Sequence, residues 1–173
     1  MVNKKIIILG SKGMLGSQVL TYFKKKNFSI KNFDKKFNKS NVNKYIKYLN
    51  KEKPSTIINC IGKIKQKKYS LTELYWSNSI LIKKFSEFLN SKHTLIHPST
   101  DCVFSGKNRY FYKKNKKLDA TDNYGLSKIY AENNLKKRSN TLIIRTSIVG
   151  LEKKTKKGLL SWFLSQNKTV YGY

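Results

Sequence analysis

The sequence predicts an α/β fold in which a doubly wound parallel sheet carries helices on both faces, and three observations support that expectation. Four short apolar runs, 5-KIIIL-9, 55-STIINCI-61, 94-TLIHPST-100 and 141-TLIIRTSIV-149, are continuous rather than alternating, the pattern of strands covered on both sides. Helix-length amphipathic segments separate them. The first run passes directly into a glycine-rich turn, 10-GSKGMLG-16.

In chain order, the strand at 5–9 is followed by a helix over 14–26, with Met14, Leu15, Val19, Leu20 and Phe23 on one side. A weaker strand at 28–34 sets Phe28, Ile30 and Phe33 in imperfect alternation with polar residues. A helix over 41–51 offers Ile46 and Leu49 to the core and leads to the strand at 55–61. Residues 71–89 repeat Leu71, Leu74, Leu81, Phe85, Phe88 and Leu89 at helical spacing, and the strand at 94–100 follows. The one long loop is 105–122, and a loop of that length inside a small domain is commonly functional. A helix over 124–137, with Leu126, Ile129, Tyr130 and Leu135 as its expected buried positions, precedes the strand at 141–149. A further apolar helix, 159-LLSWFLSQ-166, follows. Strand and helix in alternation call for right-handed crossovers.

At 173 residues the chain has room for one domain with a substantial core. The balance of 37 basic to 9 acidic side chains, a formal +28, raises nucleic acid as a partner. Only Arg109, Arg138 and Arg145 are arginines, however, and the lysines scatter from Lys4 to Lys168 without forming one patch. Zinc-finger spacing, an aromatic RNA-binding signature and a basic region with heptads are all missing, so no specific nucleic-acid site is expected. Cys60 and Cys102 lie in apolar runs and read as buried free thiols of a reducing compartment. The opening apolar stretch is too short for a signal peptide, and no segment approaches 18 uninterrupted apolar residues. The expected location is the cytoplasm, with no membrane partner and no metal site.

The turn 10–16 has the form G-x-x-G-x-x-G and opens a helix. Gly10 allows the tight turn, Gly13 lets a pyrophosphate approach the backbone, and Gly16 permits close packing of helix on strand. The free amides around Met14 and Leu15 and the positive end of the helix dipole face the anion. Placed between an apolar strand and an amphipathic helix, the motif predicts a Rossmann-like dinucleotide site. Asp34, about twenty residues beyond, can accept hydrogen bonds from the adenosine ribose, while Lys35 and Lys36 could attract a ribose phosphate. NADH and NADPH both remain open. At the end of the fourth strand Ser99 and Thr100 stand where open parallel sheets bind ligands. Tyr124 opens the next helix, and Lys128 falls one turn later on the same face.

Together, GSKGMLG, a Ser/Thr pair ending the fourth strand, and Y-x-x-x-K as 124-YGLSK-128 resemble the extended short-chain dehydrogenase/reductase superfamily. Within it, 99-STDCVFSG-106, 122-DNYGLSKIYAE-132 and 144-IRTSIVG-150 look like dTDP-4-dehydrorhamnose reductase and related sugar-nucleotide reductases. The resemblance implies reduction of a 4-keto nucleotide-sugar by NADH or NADPH, with Tyr124 as proton donor, Thr100 orienting the carbonyl oxygen and Lys128 binding the nicotinamide ribose. It also implies that Lys128 brings the phenol, ordinarily near pH 10, closer to neutrality. Asn59 and Gly62 match the family's third-strand turn beside the cofactor, and Asn78 matches its helix asparagine.

Related dehydratases place Asp then Glu after the threonine; here Asp101 is followed by Cys102, which favours reduction, with epimerisation as the runner-up. The chain departs from the family at Cys60, Ile61 and Gly62 and in 63-KIKQKK-68, and it is shorter. The expectation is a dinucleotide-binding domain over 1–173 with the substrate domain largely absent, exposing Trp162 and Phe163. A homo-oligomer, a complementing chain, or a fragment that binds dinucleotide without turnover then become alternatives.

Overall fold

A strand without polar interruption has two faces to bury, and β1 (Lys5–Leu9) does so with Ile6, Ile7, Ile8 and Leu9 all inside the protein. In the computed structural model, which describes residues 5–65, 68–107, 112–113, 116–148 and 159–171, β1 is the second strand of a five-stranded sheet. The order is β2 (Ile30–Phe33), β1, β3 (Ser55–Asn59), β4 (Thr94–Ser99) and β5 (Thr141–Arg145), and every pairing is parallel. Leu9 lies opposite both Phe33 and Asn59, and Ser99 opposite Arg145, while Ile58 opposite Ile96 lets β4 run two residues past the end of β3. The chain leaves β1 to one side and returns on the other, which makes the β1/β3 crevice the place where this topology binds ligands.

The helices are α1 (Met14–Lys25), α2 (Val42–Lys51), α3 (Leu71–Tyr75), α4 (Leu81–Phe88), α5 (Asn123–Leu135) and α6 (Leu159–Leu164). On one face of the sheet, Ile7, Leu9, Ile57 and Leu95 meet Ile46, Leu49, Ile82, Phe85 and Leu135. Phe37 and Phe85 pack edge to face there at 5.5 Å. On the other face Ile6, Ile8 and Ile58 meet Val19, Leu20 and Phe23 of α1. Each fully buried side chain of this size contributes roughly 1.5–3 kcal/mol by removal from water.

The observed elements depart from the sequence reading in four places. A π-helical turn, Trp76–Ile80, interrupts the helix expected over 71–89. Its wider winding turns Asn78 and Ser79 inward and leaves Leu71 and Phe88 exposed. On α5 the buried positions are Gly125, Ser127, Lys128, Ala131, Glu132 and Leu135, while Leu126 and Tyr130 face outward. The face turned inward is therefore largely polar, because it serves the strand ends rather than an apolar core. β5 stops at Arg145 and exposes Leu142 and Ile144, which continue the row of Ile96 and Pro98 past the cover of α1. Cys102 is exposed rather than buried, since it belongs to a short 3-10 turn (Asp101–Val103) beyond the end of β4.

Cys60 is half-buried, and that burial pushes its thiol up to about 12, so it stays protonated and inert. Among the described residues no helix is long and apolar enough to cross a membrane, and no cluster of side chains could hold a metal ion. Parts of the 105–122 loop and the end of the 141–149 segment lie outside the described residues.

Candidate active site

The glycine turn is shaped by contact. A Cβ at position 16 would lie 2.2 Å from the Gly10 carbonyl oxygen, so only glycine lets α1 start this close to β1. Gly10 has φ +75°, which favours glycine, and its Cα hydrogen faces Ile61. Gly13 is exposed and caps α1 without any side-chain hydrogen bond, and the first turn holds no acidic residue. The amides of Met14 and Leu15 thus begin a twelve-residue helix with no side chain supplying an acceptor, the arrangement that suits a phosphate. Asp34 follows β2 directly, is exposed, and accepts a hydrogen bond from the buried Ser11 hydroxyl. The carboxylate is thereby fastened to the glycine turn.

The turn after β3 is built by two asparagines. Asn59, 2% exposed, donates from Nδ2 to His97 Nδ1 (3.2 Å) and accepts from the Ile61 amide through Oδ1 (3.2 Å), so its amide is engaged inside the protein. Asn78, carried inward by the π turn, accepts from the Lys63 amide (2.8 Å) and donates to the Lys63 carbonyl (3.0 Å) and Ser127 Oγ (3.2 Å). Gly62 is held between them. A Cβ there would lie 3.4 Å from Asn78 Oδ1 and 3.7 Å from Lys128 Nζ, which brings the β3 turn onto the lysine of α5.

Thr100 follows β4, is buried, and caps the 3-10 turn by accepting from the Cys102 amide at 3.2 Å. Its hydroxyl donates to Asp101 Oδ1 at 3.1 Å, and it lies near enough to the Tyr124 phenol to pull that group's titration down. Asp122 caps α5 through the Gly125 amide (2.8 Å), which places Tyr124 in the first turn with Lys128 one turn on. Gly125 is required for this approach, since a Cβ there would sit 2.4 Å from both the Cys102 carbonyl oxygen and the Ala120 Cβ. Lys128 is 7% exposed, and its Nζ lies 3.5 Å from the Pro98 carbonyl. A cleft of about 550 Å³ opens beside the phenol, walled by Tyr124, Asn123, Asp122, Lys65, Tyr69 and Leu74 among others.

Burial lowers Lys128 from its ordinary range to about 8, opposed by the Glu132 charge. Burial raises Tyr124 above its ordinary value, opposed by the Thr100 hydroxyl and reinforced by Asp101 and Asp122. The phenol is therefore not brought toward neutrality as the resemblance implied: desolvation and the neighbouring carboxylates hold it up, and Lys128 is directed to the Pro98 carbonyl. At neutral pH Tyr124 is a protonated hydroxyl and Lys128 is largely an ammonium. His97 is held well below its usual range by burial and by Lys128, so its imidazole is neutral.

A family model described as the RmlD substrate binding domain matches residues 4–169. The chain belongs to this family. Among solved structures similar to this RmlD-family chain is the dTDP-4-dehydrorhamnose reductase of Clostridium acetobutylicum, at 26% identity and TM-score 0.72 over 84% of this chain and 54% of that one. The dTDP-4-dehydrorhamnose reductase of Bacillus anthracis, solved in complex with NADP, is 25% identical with TM-score 0.77 over 93% of this chain and 58% of that one. A dTDP-glucose 4,6-dehydratase of B. anthracis, solved with NAD, shares the fold at 18% identity and TM-score 0.75, covering 94% of this chain and 60% of that one. No curated protein matches by sequence. The chain spans little more than half the length of the solved reductases it resembles.

In this RmlD-family chain the sequence-read site residues fall into one region at the carboxyl ends of β1 to β4: Gly10, Gly13, Met14, Leu15 and Gly16 in the first turn, Asp34 at its rim, and Gly62, Thr100, Tyr124 and Lys128 beyond β3 and β4. Sequence reasoning missed Gly125, whose role depends on a contact 23 residues back in the chain at Cys102. It also missed Glu132 and Arg145, where a fully buried carboxylate meets a partly exposed guanidinium at 2.6 Å. A carboxylate one turn after Lys128, and an arginine inside an otherwise apolar strand, were the available signals.

Proposed function

We propose that the chain is the dinucleotide-binding and catalytic portion of a sugar-nucleotide oxidoreductase that reduces a 4-keto nucleotide-sugar. The observation that carries this reading is the convergence of Thr100, Tyr124 and Lys128 beside Gly62 at the strand ends. RmlD family membership and the reductase relatives support it. The bare amides at the start of α1 and the close Gly10/Gly16 contact fit the pyrophosphate of NADH or NADPH. Asp34 would take the adenosine ribose, with Lys35 and Lys36 available to a ribose phosphate, and Lys128 the nicotinamide ribose. When bound, the dinucleotide supplies the hydride.

The chain's own residues then handle the carbonyl. Thr100 orients the ketone oxygen, and Tyr124 transfers its phenolic proton to that oxygen as negative charge develops there. The Lys128 ammonium stabilises the phenolate so formed. Asp101 is followed by Cys102 where related dehydratases carry a glutamate, so this site lacks the second acid/base group that elimination needs. NADPH titration of the whole chain, followed by assay with a 4-keto nucleotide-sugar, tests the reading. Tyr124→Phe is expected to abolish reduction while preserving cofactor affinity.

The short span relative to the solved reductases favours one second reading. In it the chain binds dinucleotide without turnover until a partner chain completes the sugar site. The assay separates the two, because this reading expects full cofactor binding and no reduction by the chain alone.

A further inference from the structure

A carboxylate with no solvent exposure stands one helical turn beyond Lys128. Glu132 accepts hydrogen bonds from Ser99 Oγ (2.6 Å), from Arg145 Nε (3.0 and 3.2 Å to its two oxygens) and from Arg145 Nη2 (2.6 Å). The elements joined are those that carry the site. Ser99 immediately precedes Thr100 at the end of β4, Arg145 ends β5 in register with Ser99, and Glu132 lies on the helix that presents Tyr124 and Lys128.

An ion pair whose carboxylate is fully buried is a poor source of stability, since taking that charge from water offsets much of the attraction to the partly exposed Arg145. Its location calls for another role. The Lys128 ammonium is nearly enclosed, and the Pro98 carbonyl is a single distant acceptor for it. Its own helix offers Glu132 one turn on and Tyr124 one turn back. β4 offers His97, which is neutral, and the β3 turn and the π turn offer only the Gly62 backbone and the Asn78 amide. Among these, Glu132 is the anion.

We infer that Glu132, held by Arg145 and Ser99, is the positioning residue of the Thr100–Tyr124–Lys128 constellation: it locks α5 against the ends of β4 and β5 and supplies the negative charge that the enclosed ammonium faces. The inference rests on the proposed role of Lys128, but its test does not. Trace acetylation of the folded chain with acetic anhydride across a pH series, read by peptide mass spectrometry, gives the titration midpoint of Lys128 itself.

The parent midpoint is expected at about 8. Glu132→Gln leaves Arg145 unopposed and is expected to lower the midpoint by about one pH unit. Arg145→Gln leaves the carboxylate unopposed and is expected to raise it. The double variant falls between Glu132→Gln and the parent. A pair with a purely structural role would change the extent of labelling in all variants alike without moving the midpoints in opposite directions. Coincident midpoints, or shifts of one sign in both single variants, overturn the inference. Where circular dichroism shows a single variant unfolded, the double variant decides: a lowered midpoint supports the inference and a parental one overturns it. A parent chain that binds no dinucleotide would sink the proposed function, while the order of midpoints still judges Glu132.

Discussion

Lys128 Nζ and the Pro98 carbonyl oxygen lie 3.5 Å apart in a setting that leaves only 7% of the lysine exposed. A cation so enclosed destabilises the fold it serves. Unfolded, the ammonium keeps its ordinary value near 10.5; folded, it titrates at about 8. Between those two pH values the unfolded chain holds the extra proton, so stability rises with pH across that window. Lys128→Met is therefore expected to be more stable than the parent at pH 7, by about 3 kcal/mol as an upper figure from the shift. The advantage should shrink from pH 8 upward and vanish above 10.5, as paired thermal melts would show.

The same titration bears on catalysis. Tyr124 is raised above its ordinary value and so remains a proton donor well past neutrality. Loss of reduction as pH rises should then follow Lys128 near 8 rather than the phenol. A basic limb centred above 10 would contradict that assignment.

Gly13 and Gly16 should separate binding from folding. Gly16→Ala drives a methyl group into the Gly10 carbonyl and is expected to destabilise by several kcal/mol, on the order of 2–4. Gly13→Ala meets only that same oxygen at 3.4 Å, so the chain should fold while NADPH affinity falls at least about tenfold, through crowding where the pyrophosphate approaches. Calorimetry and fluorescence titration on the two variants read the two effects.

Asn78→Leu removes the clamp on Lys63 and leaves backbone groups of the β3 turn without their partner. The expected cost is roughly 2–4 kcal/mol, with faster amide exchange at Lys63. An unchanged exchange rate there would show that the turn is held by something else.

The sheet and its glycine turn were legible because burial on two faces demands continuous apolar strands, and because three glycines at fixed spacing answer a local steric need. The places of Thr100 after β4 and of Tyr124 and Lys128 one turn apart on α5 were legible as well, while their proposed roles came from the family resemblance. What could not be read was the inward face of α5, where Ser127, Lys128 and Glu132 occupy positions that periodicity would give to apolar residues. Their burial depends on partners on β4, β5 and the π turn, far away in sequence. The raised phenol was hidden for the same reason: the balance of desolvation against charge at Tyr124 is set by how the strand ends enclose it.

The π turn at Trp76–Ile80 also acts as an adjuster of phase. An α-helix advances about 100° per residue, so one surplus residue per turn offsets everything downstream by that angle. Upstream, α3 is set by its Ser70–Glu73 capping box; downstream, Leu81, Ile82 and Phe85 are set by the sheet. Removing a single residue from this turn would rewind it to an ordinary helix, and the two halves could no longer face their partners at once. A one-residue shortening here amounts to a rotation, and the group it would turn away is Asn78, the side chain that keeps the β3 turn beside Lys128.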